Sequence, residues 1–119
     1  MSGSDMSFPD RSLSPAALHI LLALADRPSH GYAVMRRVRE QSDGRVPLQT
    51  GSFYWHLTRL IEQGLIAEAP QRSGGDSRRG SHYRLTPRGR QVLGRELTFL
   101  ERLLATHRGL VLAARKDQA

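Results

Sequence analysis

The chain has 119 residues, one domain's worth, and its 18 basic side chains (17 of them Arg) against 11 acids leave a net charge of +7. It has no Cys, which excludes disulfides, thiol redox sensing and thiolate metal sites and suits the cytoplasm. Basic charge on so small a domain selects polyanionic partners, nucleic acid ahead of an anionic membrane, and Arg favours planar two-point contacts to phosphate or guanine.

Residues 1–12 are polar, with no apolar run that could serve as a signal peptide, and read as a flexible tail. Ser14-Pro15 is a helix start, cap then proline. Leu18, Leu21, Leu22 and Ala25 follow at helical spacing until Asp26-Arg27-Pro28 stops the helix. The apolar run at 16–25, interrupted by His19, falls far short of the ~20 residues that span a bilayer, so no membrane association is expected. Ser29 can cap a second helix over about 30–41, with Val34, Met35 and Val38 inward, closed by Ser42-Asp43-Gly44. Pro47 keeps the connector extended and Leu48 plugs the core.

Thr50 is the expected cap of a third helix, whose apolar stripe is Phe53, Leu57, Leu60 and Ile61, with Gly64 as its left-handed stop. Residues 65–69 and 81–85 then read as the strands of a hairpin, joined by a Gly-, Ser- and Arg-rich loop at 71–80. Thr86-Pro87 repeats the cap-plus-proline signature and opens one long final helix to about residue 114. Its seam, Leu93, Leu97, Leu100, Leu104, His107 and Val111, alternates steps of four and three as coiled coils do. At about 40 Å this helix outruns a core of some 70 residues, so its seam calls for a second copy of the chain. Intramolecular packing of its first half alone is the other arrangement open to it. The expected fold is mainly α, a winged helix-turn-helix. It comprises a tail (1–12), a DNA-binding domain of three-helix core and β-hairpin wing (13–86), a dimerisation helix (87–114) and a frayed end (115–119).

Two constellations carry function. With the stripe of the third helix facing in, Ser52, Trp55, Arg59 and Glu62 face out, flanked by His56 and Gln63. Arg, a hydroxyl and aromatic rings on a solvent face are what a major-groove reader needs, although Trp55 could equally pack beneath the wing or against a partner. The second constellation spans residues 71–95, where Arg72, Arg78, Arg79, Arg84, Arg88, Arg90 and Arg95 meet a single acid, Asp76. Arg72, Arg78 and Arg79 on the wing suit a phosphate-tracking role, a solvated loop being the plainer alternative. Catalysis has no support. His19, His30, His56, His82 and His107 show no metal-ligand spacing, no carboxylate pair is placed for acid–base work, and no metal or cofactor is expected.

Four short motifs add a resemblance. His30-Gly31-Tyr32, Gly51-Ser52-Phe53-Tyr54, the run Leu60-Ile61-Glu62-Gln63-Gly64-Leu65-Ile66, and Tyr83-Arg84-Leu85-Thr86-Pro87-Arg88-Gly89 occur in order. From about Leu13 to Leu97 the chain resembles the PadR family of bacterial transcriptional regulators, its short subfamily with one C-terminal dimerisation helix. The resemblance implies a homodimer that represses nearby genes by occupying a pseudo-palindromic duplex DNA operator, often until a small molecule releases it. It places Tyr32 and Tyr54 near the DNA backbone and Thr50 to Arg59 on the recognition helix. Some members bind flat aromatic drugs between subunits with a Trp on the last helix. Here that helix has only Phe99, and the sole Trp is Trp55, where the family commonly has Pro or a small residue. A small aromatic effector is the ligand class the resemblance adds. Two-fold symmetry predicts half-sites roughly 10 bp apart. The reading from a different class is a winged-helix module that docks on a protein partner without reading DNA sequence.

Overall fold

The structure, a computed structural model, describes residues 13–69 and 82–118. The expected tail at 1–12 and the wing loop, with Arg72, Arg78 and Arg79, lie outside the described residues. Helix α1 (Pro15–Ala25) starts as its sequence dictates: the Ser14 hydroxyl accepts from the Ala17 amide at 3.1 Å and proline fills the first helical position. Its buried face, Ala17, Ile20, Leu21, Ala23 and Leu24, packs on helix α2 (Gly31–Gln41). Polar ties add to the apolar contact. Arg37 donates to the Ala23 carbonyl at 2.6 Å, satisfying an acceptor that the end of α1 leaves open. Gln41 donates to the His19 carbonyl at 2.7 Å and sits 3.0 Å from the His19 ring nitrogen.

Strand β1 (Ser29–His30) precedes α2 and pairs antiparallel with β3 (His82–Leu85), which also pairs with β2 (Ile66–Ala69), so the sheet order is β1-β3-β2. The wing thus rests on a three-stranded sheet, not a bare hairpin. Ser29, expected to cap α2, is instead buried in β1, and His30 occupies the cap position without a side-chain bond. The two-residue strand covers an edge of β3 that would otherwise stay unpaired. At its far end α2 closes as a Schellman turn: Gly44 N–H donates to the Arg39 carbonyl at 2.9 Å and Asp43 N–H to Glu40 at 3.2 Å, with Asp43 at φ 55° and Gly44 at φ 77°.

Helix α3 (Thr50–Glu62) buries Phe53, Leu57 and Leu60. Its cap is Gln49, not Thr50; Phe53 N–H already donates to the Gln49 carbonyl at 2.8 Å, so Thr50 is the first helical residue. Ile61, expected in the stripe, is 37% exposed, since at the helical period it falls about 70° from the stripe's centre. Gly64 at φ 77° ends α3 in a second Schellman turn, with Leu65 N–H on the Leu60 carbonyl at 3.0 Å and both side chains buried.

Thr86 joins this turn to helix α4 (Pro87–Thr106). Its hydroxyl accepts from Gly89 N–H at 2.9 Å and donates to the Gly64 carbonyl at 2.6 Å, while its own N–H donates to the Leu65 carbonyl at 3.1 Å. A side chain at Gly89 would collide with the Leu65 carbonyl, so only glycine lets α4 lie this close.

The single long final helix is corrected: it breaks at His107, beyond which α5 (Arg108–Gln118) begins. His107 leaves the helical region at φ −113°, ψ 33°, and its carbonyl accepts from both Leu110 and Val111 N–H, at 3.0 and 3.2 Å. Thr106 donates back to the Arg102 carbonyl at 2.9 Å and Gly109 follows three residues on, features that bend and weaken a helix at this place. Helicity also runs past the expected residue 114. The core draws on α1, α2, α3, the sheet and, from α4, buried Leu93 with half-buried Val92 packed against it; no residue of α5 is buried. Among the described residues no helix is long and apolar enough to cross a membrane.

Candidate nucleic-acid interface

Because Phe53, Leu57 and Leu60 anchor α3 inward, its other face is fixed toward solvent. Ser52, Trp55, Arg59 and Glu62 are all exposed there, and His56 is half-buried at its border. Trp55 is 57% exposed, an unusual position for so large an apolar side chain. Two neighbours hold it. The Arg59 guanidinium carbon lies 5.1 Å from the Trp55 ring centre, one turn along the helix, and the His56 ring meets the indole edge-on at 5.0 Å. Partial burial and then the Arg59 charge hold the His56 pKa below its ordinary value, so the imidazole is neutral near pH 7 and can both donate and accept.

Tyr54 leans the other way, onto the start of α2. A Cβ at Gly31 would stand 2.7 Å from the Tyr54 hydroxyl and 3.5 Å from the Phe53 ring. The glycine of His30-Gly31-Tyr32 is therefore what admits Tyr54 against α2. The Phe53 and Tyr54 rings meet edge-on at 5.1 Å. Beneath them Tyr83 is nearly buried. Burial, then cross-strand Glu68, then Tyr54 push its phenol pKa up, so it stays protonated. Tyr32 is 66% exposed at the first turn of α2, with the Arg36 guanidinium 5.8 Å from its ring centre.

Of the residues singled out from sequence, Ser52, Trp55, His56 and Arg59 share one face of α3, and Tyr32 and Tyr54 flank the junction of α3 with α2. Thr50 is exposed but falls about 140° around α3 from Trp55. Arg36 was missed; its spacing of four from Tyr32 on a helix was the available signal. On the expected seam Leu93 is buried, Leu100 and Val111 are half-buried, and Leu97, Leu104 and His107 are exposed. His30 and His82 face each other across β1 and β3 with ring centres 5.4 Å apart. Among the described residues no group of three or more His, Asp or Glu could hold a metal ion.

Comparison with known proteins matches residues 20–95 to the transcriptional regulator PadR-like family. Over 88 residues the chain is 36% identical to an uncharacterized 37.1 kDa protein in transposon Tn4556 of Streptomyces fradiae. That match covers 74% of this chain and 24% of the relative, so the chain spans about a quarter of its length. A transcriptional regulator from Clostridium thermocellum has a similar fold, with TM-score 0.63, 22% identity and coverage of 80% of this chain and 91% of that one. A PadR-like transcription factor from Bacteroides fragilis gives 0.62 at 23%, covering 79% and 87%. A PadR family regulator from Clostridium difficile gives 0.58 at 26%, covering 78% and 97%.

Proposed function

The chain belongs to the PadR-like family of transcriptional regulators, and on that premise we propose that it is a repressor that binds a pseudo-palindromic duplex operator as a homodimer. Residues 13–86 form the reading head and the residues from 87 onward the dimerisation arm. Ser52, Trp55, His56 and Arg59 enter the major groove, Tyr32 and Tyr54 meet the backbone, and Arg72, Arg78 and Arg79 grip phosphate from the wing. The observation that carries this reading is the solvent face of α3, where a 57%-exposed Trp and an Arg stand together on a helix whose opposite side is locked into the core. The net charge of +7 supports the same partner. The second copy is supported by Leu97, Leu104 and Leu110, which the head leaves 42%, 58% and 71% exposed. Repression follows from occupying a promoter in the cytoplasm, and a small aromatic effector seated between two arms would relieve it.

Fluorescence anisotropy of the whole chain on duplex DNA from upstream of its own gene, beside scrambled duplex, at two salt concentrations, tests the reading. Preference for the upstream duplex by roughly 10³-fold is the expected result. Equal, weak binding to both that vanishes with salt would overturn it in favour of a module that docks on protein.

A further inference from the structure

Trp55 and Arg59 stand one turn apart on the exposed face of α3, and the stack between them has consequences for what each can do. Among the described residues the Arg59 guanidinium meets no carboxylate; its contact is the indole ring, 5.1 Å below. Stacking on an aromatic face leaves the in-plane N–H donors of a guanidinium unused, and it restrains a side chain that would otherwise sample many rotamers. The donor fork is therefore biased toward one orientation before any ligand arrives, which lowers the ordering cost on binding. A pre-oriented fork matches the adjacent O6 and N7 acceptors of guanine in the major groove, whereas a loose one serves phosphate equally well. Trp55, with one face under Arg59 and one edge against His56, keeps the rest of its apolar surface in solvent. In a major groove the apolar feature available to such a surface is the thymine methyl. Neutral His56 adds no competing positive charge beside the fork.

We propose that Arg59 and Trp55 act as one composite reader of a guanine next to a thymine, Arg59 bonding the guanine edge while Trp55 both positions the guanidinium and contacts the thymine methyl. The inference rests on the DNA-binding reading above and names the base step at its centre. Tyr32 and Arg36 supply an internal contrast. They are the same kind of pair at the same spacing, on α2, the helix that in such folds crosses the backbone rather than entering the groove. Arg36 contributes affinity without sequence preference.

The test selects binders from a randomised duplex pool with the whole chain and with Arg59→Ala, Trp55→Ala, Trp55→Phe and Arg36→Ala. Both key positions are exposed, so these variants keep the fold, which a thermal melt checks. The wild-type pool enriches a guanine beside a thymine in each half-site. Arg59→Ala and Trp55→Ala each lower discrimination at that guanine by about 10- to 100-fold. Trp55→Phe, which retains a stacking face, preserves most of it, and Arg36→Ala weakens all sequences alike. Replacing the thymine by uracil removes only the methyl and weakens the wild type several-fold but not Trp55→Ala. An enriched operator whose guanine preference survives Arg59→Ala or Trp55→Ala overturns the composite reader while leaving the regulator intact. Uniform loss on every sequence in those two variants does the same. A wild-type pool with no enriched base overturns the DNA reading itself, and this inference with it.

Discussion

Up to Leu93 the aliphatic stripes of the helices and Phe53 bury one another, with Phe53, Ile20, Leu21, Val34 and Val38 at 0% exposure, and the large rings left outside are those of the candidate interface, Tyr32, Tyr54 and Trp55. Beyond Leu93 the same residue types at the same helical spacing stay in solvent, Leu97, Phe99, Leu103, Leu104, Leu110 and Leu112 lying between 42% and 71% exposed. The two regions do not differ in pattern. They differ in whether the chain supplies a second layer to cover the stripe, as α2, α3 and the sheet do for α1 and nothing does for α5. Periodicity says which face must be covered, not what covers it.

The contrast breaks most visibly in a pair of substitutions. Phe53→Ala empties the centre of the head and costs about 3–5 kcal/mol, enough to unfold much of a small domain, read by circular dichroism in urea. Leu104→Ser, on the exposed arm, leaves the far-UV signal of the head intact and, on the proposed homodimer, shifts the chain toward monomer in sedimentation velocity. Loss of the head's fold in Leu104→Ser would show that the two regions are one cooperative unit. A smaller effect sits at their junction. Thr86→Ala removes the α4 cap and the bond to the Gly64 carbonyl together, for a loss of about 1–2 kcal/mol in the same urea experiment.

The smallest effect belongs to the exposed face of α3. His56 has a folded-state pKa below its ordinary 6.5, so the unfolded chain binds the proton more readily. Its contribution to stability is present above pH 6.5 and is lost as pH falls from there through the folded value. The melting temperature of the wild type should drop more between pH 7.5 and 5.5 than that of His56→Gln. An equal drop would place the imidazole in ordinary solvent.

The head was legible where one residue type has one structural use. Ser14-Pro15 and Thr86-Pro87 announce helix starts that the hydroxyls then cap, and Gly64 announces the turn that seats Leu65. The solvent face of α3 follows from the period once Phe53 and Leu57 are taken inward. What stayed hidden depends on contacts distant in sequence or on geometry a period does not encode. Two residues of β1 carry no repeat, and only the arrival of β3 makes them a strand. Ser29 and Thr50 are plausible caps by composition, but pairing with β3 draws Ser29 into a strand and α3 is capped one residue earlier, at Gln49. The break at His107 interrupts a stripe that reads continuously, because Leu104, His107 and Val111 keep their spacing while the backbone does not. In the candidate interface, Trp55 and Arg59 were visible as neighbours four apart, but their stacking, and the matching pair at Tyr32 and Arg36, emerged only with side-chain positions.

Thr86 makes a joint with little play. One hydroxyl holds the last turn of α3 and the first turn of α4, and the bare Gly89 beneath it leaves no gap to be taken up. With 20 residues, α4 is an arm of about 30 Å that starts at the turn ending α3. Turning it by about 10° would sweep its far end through about 5 Å, more than the roughly 3.4 Å step between base pairs. In the proposed homodimer, slight adjustments where two arms meet would therefore be enough to shift one head out of register with its half-site.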